Sequence, residues 1–115
     1  MQFIITAYDG KDSAAGARRN AAREQHLEGV KKAIKEGRHL FAASILDDDG
    51  NMIGSMMVVD YPSLEVLKNE WLDCEPYVTG NVWHEIEIKP CKVPEFFLDK
   101  SLVYLYSNLK NQLDL

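Results

Sequence analysis

Arg38-His39-Leu40-Phe41-Ala42-Ala43-Ser44-Ile45-Leu46, then Asp47-Asp48-Asp49-Gly50, then Met52-Ile53-Gly54-Ser55-Met56-Met57-Val58-Val59-Asp60, is the stretch from which the fold is read. Two short apolar runs flank a cluster of Asp and Gly, the residues that tolerate the backbone angles of a tight turn. The pattern predicts a β-hairpin. Upstream, the Ala-, Arg-, Glu- and Lys-rich segment that follows Asp12-Ser13 predicts a helix to Glu36, ended by Gly37. Before it, Gln2 to Tyr8 is β-branched and aromatic and stops at Asp9-Gly10, which predicts a first strand. Downstream, Ser63 is placed to cap a helix from Leu64 to Asp73. Glu75-Pro76-Tyr77 breaks the chain, and Val82 to Lys89 alternates as a fourth strand. Pro90 and Pro94 bracket a connector. The order is β-α-β-β-α-β, an α+β ferredoxin-like arrangement with an antiparallel sheet. It spans residues 1–94. In the extension 95–115, Leu98, Leu102, Leu105, Leu109 and Leu113 recur at helical spacing, which predicts a C-terminal amphipathic helix, with a strand the alternative for the part that holds Val103, Tyr104 and Tyr106.

Neighbouring strand residues point to opposite faces. Phe3, Ile5 and Ala7 make one row, and Ile4, Thr6 and Tyr8 the other. The second and third strands are likewise apolar on both faces. Two helices cover only one face of such a sheet, and an apolar patch of many hundreds of Å² is not normally left wet. A second copy of the sheet is the expected cover, as a homodimer packed face to face. The C-terminal tail is the other candidate.

The 115 residues suffice for one domain with its own core, and 46% hydrophobic with 27% charged residues is ordinary globular composition. A net charge of −5 argues against nucleic acid and against anionic membranes as partners. No apolar run approaches the roughly 20 residues a membrane span needs. The first residues carry no basic stretch, so no secretory leader is expected. The two cysteines, Cys74 and Cys91, are then free thiols of a cytoplasmic protein. His26, His39 and His84 show no metal-ligand spacing, so no metal is expected, and no cofactor fingerprint is present. The Asp47–Gly50 cluster lacks the alternate spacing and later Glu of a calcium loop.

The first helix carries the most informative pattern. Arg19, Arg23, His26, Leu27, Val30 and Ile34 share one side at about 100° per residue. The C-terminal half of this stripe is apolar, but its N-terminal half is basic. Charge facing a core costs free energy unless it is paired or borders a wet cavity. Two readings follow. Either these residues line a polar recess with His26 at its inner edge, or the arginines snorkel to solvent and His26 is a border histidine. Glu75 is the natural acid for His26: a carboxylate bound to an imidazole fixes its tautomer and raises its basicity. The alternative for Glu75 is a solvated loop acid. Tyr77 offers either a hydroxyl to a ligand or a packing ring, and Ser55 either lines a cavity or bonds to backbone.

Arg23-Glu24-Gln25-His26-Leu27, the Gly37–Ala42 segment, Ile53-Gly54-Ser55, and Glu75-Pro76-Tyr77-Val78 with Gly80 and Val82 occur in that order, closed by Lys89-Pro90 and Lys92-Val93. In these motifs the chain resembles the YciI-like, YCII-related family over about its first 93 residues. The resemblance implies a dimeric α/β barrel, with a His–Asp pair and a nearby Arg in its pocket, and cofactor-independent lyase or hydrolase activity on a small molecule. One related enzyme removes chloride from a chlorinated hydroxyquinol. Carried over, the histidine falls on His26, the arginine on Arg23, and the aspartate on Glu75, one methylene longer than the family residue. The expected function is general acid–base catalysis by His26, Glu75 and Arg23 with Arg19, Ser55 and Tyr77 as substrate contacts. The alternative is a dimeric module that binds a small ligand without converting it.

Overall fold

The structure is a computed structural model that describes residues 1–98. The elements run β1 (Gln2–Asp9), α1 (Ala15–Lys35), β2 (His39–Leu46), β3 (Met52–Asp60), α2 (Leu64–Glu70), a single 3₁₀ turn (Leu72–Cys74), α3 (Pro76–Thr79), β4 (Trp83–Cys91) and α4 (Glu95–Leu98). The strands form one four-stranded antiparallel sheet in the order β2-β3-β1-β4, the ferredoxin-like order. The turn that decides the hairpin is built as its residues dictate. Gly50 takes φ +85°, and Asp47 Oδ1 accepts the backbone N–H groups of Asp49 and Asn51.

β1, α1 and the start of β2 differ from the expectation by one residue, and three differences are larger or change an element's role. α2 stops at Glu70 rather than Asp73: Trp71 leaves the helical region at φ −125°, ψ −58°, and Leu72–Cys74 tighten into the 3₁₀ turn before Glu75, which precedes Pro76 and is extended at φ −68°, ψ 126°. Pro76 then begins α3 rather than only breaking the chain, since its fixed φ suits a first helical position. β4 runs through Pro90 to Cys91. Pro90 lies opposite Phe3, and an edge strand tolerates the missing donor.

The helix-facing side of the sheet carries Phe3, Ile5, Ala7, Met57 and Val59, all buried, and packs with Leu67, Trp71, Leu72, Tyr77, Val82 and Trp83. α1 meets it through Ala15, Arg19, His26 and Ala33, with Ala22 against the core. This stripe is rotated from the expected one: Ile34 is 54% exposed and Arg23 is exposed. Ala15, Ala22 and Ala33 let the helix axis approach the sheet closely, with Arg19 and His26 reaching in between them. Burying Leu27, Val30 and Ile34 instead would hold it off.

The opposite side carries Ile4, Tyr8, Phe41, Met56 and Val58, with the polar row Glu85, Glu87 and Lys89 along β4. Phe41 is 62% exposed. After β4, the Val93 N–H donates to Gln2 Oε1 at 2.6 Å, and the chain crosses so that Val93, Phe97 and Leu98 line an apolar recess of about 300 Å³ with Leu40, Phe41 and Val58. Of the expected tail helix, Glu95–Leu98 forms one turn; Leu102, Leu105, Leu109 and Leu113 lie outside the described residues. No helix among the described residues is long and apolar enough to cross a membrane.

Candidate active site

α1 delivers His26 from its middle, and the start of α3 delivers Glu75. The two side chains are hydrogen-bonded through His26 Nδ1 and Glu75 Oε1. His26 is 8% exposed and Glu75 2%. Glu75 is held by more than its partner. It is the N-cap of α3, and its Oε1 also accepts the Tyr77 N–H at 3.2 Å. A carboxylate can only accept, so it draws the imidazole proton to Nδ1 and leaves the Nε2 lone pair free. Among the described residues that nitrogen has no hydrogen-bond partner, and His26 lines a cleft of about 170 Å³ between α1 and the β2–β3 hairpin. The pair therefore has the arrangement a general base requires, with an oriented imidazole and an open nitrogen.

Aromatic rings frame the imidazole. Tyr77 stacks on it with centroids 3.9 Å apart and planes 10° from parallel, while Trp83 meets it edge-on at 5.9 Å. Burial raises the Tyr77 hydroxyl above its ordinary pKa, so it is a neutral phenol at physiological pH. Trp83 continues to Trp71 and on to His39, whose ring lies 4.6 Å from Trp71. Burial, and behind it the charge of His26, push the His39 imidazole down to about 4. Among the described residues neither ring nitrogen of His39 has a hydrogen-bond partner. His39 is thus a buried imidazole held in its neutral form at physiological pH.

The remaining expected residues separate into two groups. Arg23 lines the cleft from its exposed rim and makes no ion pair among the described residues, so it is free to meet an anion. Arg19 also lines the cleft, but its guanidinium is buried and engaged. Nη1 donates to both Asp9 oxygens at 2.9 and 3.0 Å, and Nη2 donates to Gly54 O at 3.2 Å and Ser55 Oγ at 3.0 Å. The arginine expected to bind substrate already has an acid of its own. Ser55 is buried at the cleft floor beneath this fork, opposite Ser44 in the hairpin.

Asp9 was not anticipated. The signal for it lay in the alternation of β1: the inward row Phe3, Ile5, Ala7 continues to Asp9, which a register shift between Tyr8 and Asp9 sets opposite Trp83. Among the described residues, no three His, Cys, Asp or Glu side chains converge as a metal site would require.

A ferredoxin-like α+β fold with a buried His–Glu pair beside a small cleft is thereby defined. The YCII-related domain model matches residues 1–92, and the chain belongs to that family. Protein YciI of Escherichia coli O6:H1 and its namesake in Shigella flexneri are each 32% identical to it over 98 residues, which cover 80% of this chain and 97% of the relative. Among solved structures, 5-chloro-2-hydroxyhydroquinone dehydrochlorinase from Burkholderia phenoliruptrix, in complex with 2,5-dihydroxybenzoquinone, superposes with a TM-score of 0.69 at 16% identity. That match covers 83% of this chain and 97% of the other and establishes likeness of fold.

Proposed function

We propose that this protein is a cofactor-independent small-molecule enzyme of lyase or hydrolase type, acting on a polar aromatic or acidic metabolite. The observation that carries the reading is the buried His26–Glu75 pair beside a cleft, with Nε2 unbonded and Arg23 unpaired at the rim among the described residues. His26 removes or returns a proton at the substrate, and Glu75 steadies the imidazolium that forms. Arg23 holds an anionic oxygen by a charge-assisted bond. Arg23 and His26 are three residues apart on one helix, so their Cβ atoms stand about 5–6 Å apart. The anionic group therefore lies close to the atom that exchanges the proton. Leu27, Val30 and Met57 offer the carbon skeleton an apolar wall. The activity of the dehydrochlorinase of similar fold makes hydroxylated and chlorinated aromatics the first substrates to try.

The second copy expected from the two-faced sheet covers the part of the Ile4, Phe41 and Val58 face that Val93, Phe97 and Leu98 leave open, and the chain divides into a domain of residues 1–94 and an extension of residues 95–115. A cytoplasmic setting suits the free thiols. The test is a metabolite screen that records both conversion and thermal shift. Turnover by the native chain that falls roughly a hundredfold or more in His26→Ala supports the enzyme. A ligand that raises the melting temperature but is never converted supports the non-catalytic binding module and overturns the catalytic reading.

A further inference from the structure

The mechanism above uses His26, Glu75 and Arg23 and leaves a buried ion pair unexplained. Arg19 and Asp9 are 4% and 8% exposed, and they meet beneath the N-terminal half of α1. Burying two charges gains little stability over a well-packed apolar pair of the same shape. Their surroundings suggest another use. The Arg19 guanidinium is pinned by both flanking strands, to Asp9 at the end of β1 and to Gly54 and Ser55 in β3. Its Cζ lies over the Tyr77 ring at 4.8 Å from the centroid. The same ring stacks on His26 at 3.9 Å, and the Tyr77 N–H donates to the very Glu75 oxygen that holds the imidazole. Arg19 and His26 are seven residues apart, about 10.5 Å along the helix axis, and Tyr77 touches both.

We propose that Asp9 is a positioning residue: by clamping the Arg19 fork against Tyr77, it fixes the plane in which the His26 imidazole meets Glu75 and opens Nε2 to the cleft. The proposal rests on His26 being the acid–base group. One hydrogen bond at Nδ1 leaves the ring free to tilt about that bond, and a parallel aromatic partner removes this freedom. The partner is itself held by a planar cation, whose Nη1 is oriented by Asp9 alone while Nη2 is shared by Gly54 and Ser55. Lysine in place of Arg19 would keep the charge but lose the flat fork that spans Asp9, Ser55 and the ring.

The experiment is proton and nitrogen NMR of the His26 ring in the native chain and in Asp9→Asn and Arg19→Lys, with no substrate required. In the native chain the Tyr77 ring current holds the His26 ring protons upfield. Both variants are expected to lose that upfield displacement and to broaden the resonances, while Arg23→Ala leaves them in place. Where turnover is measurable, Asp9→Asn lowers kcat about tenfold or more with KM within about twofold. Should Asp9→Asn not fold, the double variant Asp9→Leu with Arg19→Met replaces the pair by apolar bulk and is read in the same way. Native-like His26 resonances in any folded variant lacking the Asp9 carboxylate overturn the proposal. Displaced resonances in a chain that converts no substrate leave the clamp standing and count only against the enzymatic reading.

Discussion

The His26 imidazole lies flat against the Tyr77 phenol ring, 3.9 Å between centroids and 10° from parallel, while Tyr77 donates its backbone N–H to the carboxylate that binds the same imidazole. One residue thus orients the histidine through its ring and the histidine's partner through its backbone. Tyr77→Phe keeps both contacts. It is expected to melt within about 1 kcal/mol of the native chain and to change only the KM of a substrate that the hydroxyl reaches. Tyr77→Ala removes the ring and should cost about 3–5 kcal/mol, with loss of turnover. Chemical denaturation and steady-state kinetics on the two variants separate the packing role from the ligand contact; a kcat loss in Tyr77→Phe as deep as in Tyr77→Ala would contradict the division.

Glu75 gives a second prediction. Glu75→Gln keeps the shape but supplies no anion to the imidazolium, so turnover should fall roughly a hundredfold. Glu75→Asp keeps a good helix cap, and its stability should stay within about 1 kcal/mol. Its carboxylate is nevertheless drawn back by one methylene from His26, in a framework fitted to the longer acid. Activity is therefore expected to fall although Asp is the residue the family resemblance places there. Activity equal to native in Glu75→Asp would show that the backbone of α3 adjusts freely.

Gly54 sits where the hairpin approaches β1. A methyl group added there would stand 2.5 Å from the Ala7 carbonyl oxygen. Backbone cannot retreat cheaply, so Gly54→Ala is expected to destabilise by roughly 1–3 kcal/mol. It should also shift the floor of the cleft at Ser55. Equilibrium unfolding checks the first effect; an unchanged midpoint would refute it.

His39 makes stability depend on pH. Its folded pKa of about 4 lies below the ordinary 6.5, so the fold accepts the neutral ring and rejects the charged one. The unfolded chain binds this proton near pH 6.5 and the folded chain only near 4. The contribution is therefore complete above 6.5 and is lost as pH falls from 6.5 through 4, up to roughly 3 kcal/mol in all. His39→Phe removes the titration and the two unpartnered nitrogens. Its melting temperature should be at least native at neutral pH and should fall less on acidification. Parallel acid slopes for the two proteins would exclude His39 as the cause.

The architecture was legible because its signals are local. Asp47–Gly50 marks the hairpin, and the strand rows give the two faces. The site was legible in its members but not in its geometry. Large apolar side chains dominate any reading of a helix face, so Leu27, Val30 and Ile34 drew the expected stripe toward themselves. The structure instead seats α1 on Ala15, Ala22 and Ala33, whose merit is their small size. The same shift carries Arg23 out to the rim and leaves Arg19 inside, where Asp9 meets it. Asp9 continues the inward row of β1, but which of two arginines reaches it depends on how α1 is seated on the sheet, and that rotation is set by packing rather than by the spacing of large apolar residues.

Glu75 starts the short helix and also holds the imidazole. The first task alone would admit Ser, Asn or Asp, whereas the second admits only an acid. A homologue with Ser or Asn at this place would keep its local turn and shed its proton relay. If the proposed function holds, natural variation at that single site would separate members able to do acid–base chemistry from those retained only for their shape.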